Sequence, residues 1–331
     1  MSKTGLSPRK KTFSSSRSRS RLKALGAAVL LVIMIWDVIL TIAFYRRPMW
    51  VIDEVMHARL SMAGIHSKFV KVGPYRVHYF VGGTGPPLLL IHGLGSRSED
   101  WTPEMPDYAK TYRVYAIDLL GCGRTDHPDI AYTIQQQTDL IQGFTEALHL
   151  PKMDVIGWSM GGWIALDFAI ERPEKVDRLV AMDSAGLSFK TNLTPQIFEP
   201  RTVPQLKQLE ELLVPHPHDL PAFFDRALLR AMQKNFRVVH RTVDSMLTGK
   251  DLLDSRLKRI KSPVLLVWGE QDALIPTGVA LRMHQAIPQS VLQIYSGCGH
   301  IGPALCSSRI VPHVIDFLHS NPPALAGIYH Y

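Results

Sequence analysis

The sequence predicts an α/β protein built on a mostly parallel sheet, and three observations support this fold class. Short apolar runs alternate with helical patterns from residue 69 to residue 320, as in proteins whose parallel strands are joined by crossover helices. Several runs are apolar at every position, which is typical of strands covered on both faces. One run, Met153–Trp158, continues into Gly-Trp-Ser-Met-Gly at residues 157–161, a pattern that favours a sharp turn from strand to helix. We expect eight strands, with helices on both faces of the sheet.

Two segments precede this pattern. Residues 1–23 carry eight of the 37 basic residues and no acidic residue, a composition typical of a disordered tail. Residues 24–45 contain one charge, Asp37, and at about 1.5 Å per residue they reach roughly 33 Å, enough to cross a bilayer. We interpret them as a retained signal anchor, because the apolar region of a cleaved signal peptide would be shorter. A mitochondrial transit peptide is a further alternative, although such peptides lack so long an apolar core.

The charges around the span predict its orientation. Seven basic residues lie at positions 4–23 and three at positions 46–65, which places the N-terminus in the cytoplasm and the rest of the chain on the other side of the membrane. The net charge of +8 belongs to the tail, since the remaining chain has 29 basic and 29 acidic residues. We therefore expect a membrane partner and no nucleic acid. The sequence does not indicate an oligomeric state.

The rest of the chain divides into a connector, a core in two parts, an insertion and a tail. Residues 46–68 contain a helical pattern that either lies along the membrane surface or packs on the domain. The α/β core is expected at residues 69–186 and 261–320, with a C-terminal tail at 321–331. Residues 187–260 contain helical patterns and Pro-rich turns but no strand pattern, which predicts a helical cap above the C-terminal edge of the sheet.

Three polar side chains follow strand patterns in the order Ser159, Asp272, His300. Because parallel strands end at the same edge of a sheet, we expect these side chains to meet there. A serine becomes a nucleophile when a histidine takes its proton, and an acid holds the histidine in the correct tautomer. Asp183, at the end of an earlier strand, is an alternative acid. The Met160 amide is expected to face the same space from a helix N-terminus, where negative charge is favoured.

Neither the cysteines nor the histidines predict a metal site or a cofactor. Cys122, Cys298 and Cys306 have no metal-ligand spacing, so we expect them to be buried small hydrophobic residues, with a Cys298–Cys306 bridge as the alternative. His216 and His218 flank a proline without a third ligand nearby. We expect a surface turn at these two histidines.

Taken together, the motifs resemble those of the α/β-hydrolase family over residues 69–320. The resemblance is carried by His-Gly after the third strand, Asp-x-x-Gly-x-Gly-x-Thr after the fourth, the Gly-Trp-Ser-Met-Gly-Gly turn, Gly-Glu-Gln-Asp at 269–272 and Gly-Cys-Gly-His at 297–300. The anchored start and Ala-Gly-Leu at 185–187 are similar to membrane-anchored monoacylglycerol lipases and esterases.

The resemblance implies roles for individual residues. Ser159 would be the nucleophile, His300 the general base and then acid, and Asp272 the residue that orients it. The backbone amides of Leu94 and Met160 would form the oxyanion hole, while His92 would shape the loop beside them. Relatives often have an acidic residue shortly after the catalytic histidine. Residues 301–306 contain none, which leaves the support of this loop open.

We therefore predict a membrane-anchored serine hydrolase that cleaves lipid-like, monoacylglycerol-type carboxylic esters through an acyl-enzyme on Ser159. The expected pocket residues are Trp158, Phe224 and Leu228; the last two recur on one face of a helix expected at 220–246. A carbon–carbon bond hydrolase of meta-cleavage type, whose family shares the Ser, Asp and His set and a helical cap, is an alternative. A non-catalytic anchored binding protein is another. Dehalogenases and epoxide hydrolases fit less well because they have Asp where this chain has Ser159.

Overall fold

The computed structural model describes residues 15–191, 194–217, 219–300, 305–321 and 323–331. The chain divides into two units, residues 1–51 and residues 52–331. Helix α1 spans Ser15–Arg46, so the part of the predicted disordered tail from residue 15 onwards is helical and that prediction is wrong there. The apolar segment that follows is strongly helical, and helix propagation into adjoining Ser, Arg and Leu residues is far easier than nucleation.

Helix α1 contains the predicted anchor. The stretch Lys23–Arg46 has a window with a mean hydropathy of 2.6, and none of that window is buried within the protein. Among the described residues it is the one helix long and apolar enough to cross a bilayer. This assignment comes from length and composition, a test that a signal sequence also passes.

Helix α2 (Pro48–Met62) packs on the α/β domain through its second half. Leu60 is fully buried in an apolar cluster with Phe80 and Trp101. The Arg59 guanidinium donates a hydrogen bond to the carbonyl of Pro103 at 3.3 Å. From residue 52 onwards the connector therefore packs on the domain, which is one of the two interpretations given above.

The sheet contains nine strands among the described residues. They are β1 (His66–Val72), β2 (Tyr75–Gly82), β3 (Pro87–Ile91), β4 (Arg113–Ile117), β5 (Met153–Trp158), β6 (Val176–Met182), β7 (Val264–Gly269), β8 (Val291–Tyr295) and β9 (Gly327–His330). Their order is β1-β2-β4-β3-β5-β6-β7-β8-β9. Strand β2 is antiparallel to β1 and β4, and the other neighbouring pairs are parallel. The mostly parallel sheet predicted from the sequence is thus confirmed.

Strand β9 corrects the C-terminal tail expected at residues 321–331. It pairs in parallel with β8, with Gly327 opposite Val291 and His330 opposite Ile294. A strand of four residues is too short to show an alternating pattern in the sequence. The strand forms where the backbone of β8 has an unpaired edge. That edge exists only in the folded protein, so the local sequence does not reveal it.

Helices cover both faces of the sheet, as predicted. On one face lie α4 (Ile134–Ala147), α5 (Met160–Glu171) and α9 (Thr277–Ala286); on the other lie α2, α3 (Met105–Tyr108) and α10 (Ser307–His319). Strand β3 contacts both layers, because Leu89 and Ile91 join one apolar cluster while Leu88 and Leu90 join the other. Alternate side chains of a strand point to opposite faces, so a strand that is apolar throughout contributes to two cores.

Between β6 and β7 the described residues form helices and no strand, in agreement with the predicted cap. These helices are α6 (Val203–Leu213), α7 (Ala222–Gln233) and α8 (Phe236–Leu247). The single helix expected over residues 220–246 is wrong, because the chain turns at Lys234 and Asn235. Asn is a weak helix former whose side chain favours turns and caps. The helix that carries Phe224 and Leu228 therefore ends at Gln233, and a second helix follows.

Candidate active site

Ser159 occupies the turn between β5 and α5. Its backbone has φ 57° and ψ −120°, a strained conformation for a residue with a side chain. A Cβ on Gly157 would overlap the carbonyl oxygen of Gly161, and a Cβ on Gly161 would overlap that of Ile91. The strand and the helix can approach this closely because both positions are glycine. The turn lifts the serine hydroxyl away from the sheet, as the motif predicts.

The side chains of Ser159, His300 and Asp272 form one hydrogen-bonded row. Ser159 Oγ lies 2.9 Å from His300 Nε2, and His300 Nδ1 lies 2.8 Å from Asp272 Oδ2. The other carboxylate oxygen of Asp272 accepts hydrogen bonds from the amides of Leu274 at 2.9 Å and Ile275 at 2.8 Å. All three side chains are buried. With Nδ1 donating to Asp272, Nε2 is left to accept the serine proton.

Asp183, the alternative acid, makes different contacts. Its Oδ1 accepts a hydrogen bond from the amide of Gly269 at 2.8 Å, and its Oδ2 has no partner within the described part of the chain. Burial, together with the nearby charge of Asp272, raises the pKa of Asp183 well above its usual range. The structure therefore brings Asp272, and not Asp183, to His300.

The two predicted oxyanion-hole amides belong to residues next to Ser159 and next to Gly93, which approaches Ser159. Met160 is the first residue of α5, and Leu94 follows Gly93, whose Cβ, if present, would lie 3.2 Å from the Ser159 Cβ. Neither the Leu94 nor the Met160 amide has an acceptor among the described groups. Unsatisfied amides beside a buried nucleophile can bind an oxygen that becomes negative during reaction.

His92 holds the start of the loop that contains Leu94. Its Nδ1 donates to the carbonyl of Gly93 at 2.8 Å, and its Nε2 accepts from the amide of Leu119 at 3.1 Å. Burial lowers the pKa of His92, so the ring is neutral and both nitrogens are occupied. These contacts agree with the loop-shaping role expected for this histidine.

Trp158, expected to line the pocket, contacts the histidine of the row. Its indole N–H donates to the carbonyl of His300 at 2.9 Å, and the two ring centroids are 5.8 Å apart. This contact spans 142 residues of sequence. Trp158 therefore fixes the backbone of His300 as well as one side of its ring.

Two cap helices, α7 and α8, take the place of the single helix from which pocket residues were expected. Phe224 and Leu228 are half-buried on α7. From α8, Val239 comes within 3.7 Å, and Val238 within 2.7 Å, of the positions that a Cβ would take on Gly95 and on Gly121. Neither Val238 nor Val239 was among the pocket residues expected from the sequence. The weak helix former at position 235 was the available signal for the break.

Cys298 and Cys306 form a disulfide, so the expectation that both are unpaired is wrong. The bridge ties the residue two positions before His300 to the segment that leads into α10. Residues 301–304, where we noted the lack of an acidic residue, lie outside the described residues. Cys122 is free and buried, and burial raises the pKa of its thiol to about 12.

No group of three or more His, Cys, Asp or Glu side chains in the described ranges is arranged to hold a metal ion. His216 is exposed in the turn before α7. His218 lies outside the described residues, so the turn expected at these two histidines is seen in part.

Comparisons with known proteins agree with this architecture. A family model described as alpha/beta hydrolase fold matches residues 86–304. A 2-hydroxymuconate semialdehyde hydrolase of Pseudomonas sp. (strain CF600) is 30% identical over 281 residues, which cover 80% of this chain and 97% of that protein.

Two solved structures are also similar. A membrane phospholipase A, described as a bacterial virulence factor, has a TM-score of 0.77 at 24% identity and covers 90% of this chain and 100% of its own. A putative lipase from Acinetobacter baumannii AYE has a TM-score of 0.73 at 25% identity, with coverages of 80% and 95%. The first of these likenesses, at 24% identity, concerns the fold alone.

Proposed function

Because the chain belongs to the α/β-hydrolase family, we propose that it hydrolyses lipid-like carboxylic esters through an acyl-enzyme on Ser159. The observation that carries this proposal is the buried row of Ser159, His300 and Asp272, with hydrogen bonds of 2.9 and 2.8 Å. A serine in such a row attacks a carbonyl carbon.

The proposed reaction has two halves. His300 Nε2 takes the proton of Ser159 as Oγ attacks the ester carbonyl, and Asp272 stabilises the resulting imidazolium. The amides of Leu94 and Met160 bind the oxyanion. His300 then gives the proton to the departing alcohol, which leaves the acyl group on Ser159. In the second half, water replaces the alcohol and the same proton transfers release the acid.

The predicted anchor and the cap both favour an apolar, lipid-like substrate. Helix α1 would keep the site close to a membrane, where monoacylglycerols and similar esters are concentrated. Helix α8 places the apolar side chains of Val239 and Val238 against Gly95 and Gly121, in the loops after β3 and β4. Burying each acyl methylene contributes about 0.8 kcal/mol at most, so four further carbons could raise kcat/KM by up to roughly two orders of magnitude. The putative lipase among the similar structures favours the same class of substrate.

We further propose that the N-terminus, residues 1–23, faces the cytoplasm and that the hydrolase domain lies on the opposite side of the membrane. The Cys298–Cys306 disulfide supports this orientation, because disulfides persist in oxidising compartments and are rare in the cytoplasm. Full-length protein should stay in membranes washed with alkaline carbonate, and protease added outside the cell membrane should reach the domain. Recovery in the soluble fraction would refute the anchor.

A carbon–carbon bond hydrolase remains the second candidate, favoured by the 30% identity to a 2-hydroxymuconate semialdehyde hydrolase. The two functions are separated by assaying the purified protein in detergent with p-nitrophenyl esters from acetate to decanoate and with a 2-hydroxy-6-oxo-hexadienoate. We expect kcat/KM to rise along the ester series and to exceed the value for the dienoate. A flat ester series together with faster cleavage of the dienoate would establish the second function instead.

A further inference from the structure

Helix α2 is bonded to the loop that contains the Leu94 amide. This loop, residues 93–97, connects β3 to a 3-10 turn at Ser98–Trp101. At its far end, the guanidinium of Arg97 donates to the carboxylate of Asp53 on α2 in an ion pair. Both side chains are about one-third exposed, at 37% and 30%. Partly buried pairs are screened less by salt than surface pairs, so this contact can hold the loop.

A second contact joins α2 to the same segment through a buried carboxylate. Glu99 is 2% exposed, and its Oε1 lies 3.1 Å from His57 Nε2 of α2 and 3.1 Å from the guanidinium of Arg124. Its Oε2 lies 3.7 Å from Arg97 Nε. A buried carboxylate is costly unless cations and donors surround it. Glu99 therefore fixes the positions of Arg97, Arg124 and His57 relative to one another.

The loop is thus held at both ends. At its start, His92 bonds to Gly93 and to the Leu119 amide. At its end, the amide of Ser98 donates to Asp118 at 2.7 Å, while Arg97 is bonded to α2. The direction of the Leu94 amide depends on the backbone between these two points. A donor misplaced by about 1 Å can cost up to roughly a hundredfold in rate.

We propose that Asp53 on α2 acts through Arg97 as a positioning residue for the oxyanion-binding loop. A residue on the helix that follows the predicted anchor would then influence how tightly the site binds the transition state. This inference rests on the proposed ester hydrolysis, because the Leu94 amide matters only if an oxyanion forms beside Ser159.

The test compares substitutions at Asp53 with a matched control on the same helix. Asp53→Ala should lower kcat about tenfold with KM changed less than about twofold, since oxyanion contacts are made in the transition state. It should weaken binding of a trifluoromethyl ketone, which forms a tetrahedral adduct, by the same factor, and leave binding of the product acid unchanged. Asp53→Glu should recover most of the loss. Glu54→Gln, at an exposed carboxylate one residue along, should behave as the wild type.

The coupling to Arg97 is tested by a double-variant cycle. Asp53→Ala combined with Arg97→Ala should be no worse than Arg97→Ala alone, because both remove the same contact. An unchanged kcat in Asp53→Ala, or an equal weakening of both inhibitors, would overturn the proposal. If the wild type cleaves no ester, the proposed function fails, and the rate at which a fluorophosphonate labels Ser159 in the same variants still decides the role of Asp53. An unchanged labelling rate would then refute it.

Discussion

The carboxylate of Asp183 accepts a hydrogen bond from the amide of Gly269, at the end of the strand that leads to Asp272, whereas Asp272 itself is bonded to His300. The two acids follow the neighbouring strands β6 and β7, and they have different hydrogen-bond partners. Burial and the nearby charge of Asp272 raise the pKa of Asp183, and it is Asp272 whose carboxylate contacts the histidine. Their different surroundings lead to two predictions.

The first prediction concerns turnover. Asp272→Asn should lower kcat by about 10⁴-fold, because an amide favours the wrong tautomer of His300 and cannot stabilise its cation. Asp183→Asn should change kcat by less than about threefold, since Asn resembles a neutral carboxyl group. Steady-state kinetics of the two variants with one ester decide the point. The reverse ranking would transfer the role of the acid to Asp183.

The second prediction concerns the pH dependence of stability. A carboxyl group whose pKa is raised on folding binds its proton more tightly in the native state, so its contribution to stability is fully present below the unfolded pKa of about 3.9. That contribution is lost as the pH rises through the raised native pKa of Asp183. Thermal unfolding of Asp183→Asn and wild type should therefore show a Tm difference that moves in favour of the variant as the pH increases. A difference independent of pH would contradict a raised pKa.

The sequence predicted those parts of the molecule that depend on local patterns. Short segments of the sequence show the apolar strand runs and the Ser159 turn. The motifs that contain Ser159, Asp272 and His300, and their order, can likewise be read directly from the sequence. The ion pair of Asp53 and Arg97 joins residues 44 positions apart, and no local pattern marks it. The same holds for β9 and for the contact of Val239 with the loop after β3, because each depends on which elements the fold brings together. The sequence could not decide whether Cys298 and Cys306 pair, because a sequence separation of 8 residues does not determine the distance and direction between two cysteine side chains.

The third prediction concerns the disulfide. Cys298 lies two residues before His300, and its bond to Cys306 supports a segment that lacks the acidic residue often found in relatives. Reduction should lower kcat about tenfold with little change in KM, because the histidine loses alignment with Ser159. The control is the double variant Cys298→Ala with Cys306→Ala, which should start at the lower activity and show no response to reductant. Equal activity of oxidised and reduced wild type would exclude this support.

The fourth prediction concerns the cap. Val239 of α8 approaches the loop after β3, so Val239→Phe should fill space beside the acyl chain and shift the preferred chain length downwards by about two carbons or more. Leu247→Phe, at a position 52% exposed near the end of the same helix, is the matched control and should leave the profile unchanged. Kinetics with esters of increasing length measure the shift. A profile unaffected by Val239→Phe would place the pocket elsewhere.

The most direct test is to trap the acyl group on the enzyme. Wild-type protein is mixed with p-nitrophenyl decanoate, quenched with acid within the first turnovers, and analysed by intact-mass and peptide mass spectrometry. The account predicts a burst of nitrophenol and the mass of one decanoyl group on the peptide that contains Ser159, both absent in Ser159→Ala. Steady release of nitrophenol by the wild type without an adduct on Ser159, or undiminished turnover by Ser159→Ala, would contradict it.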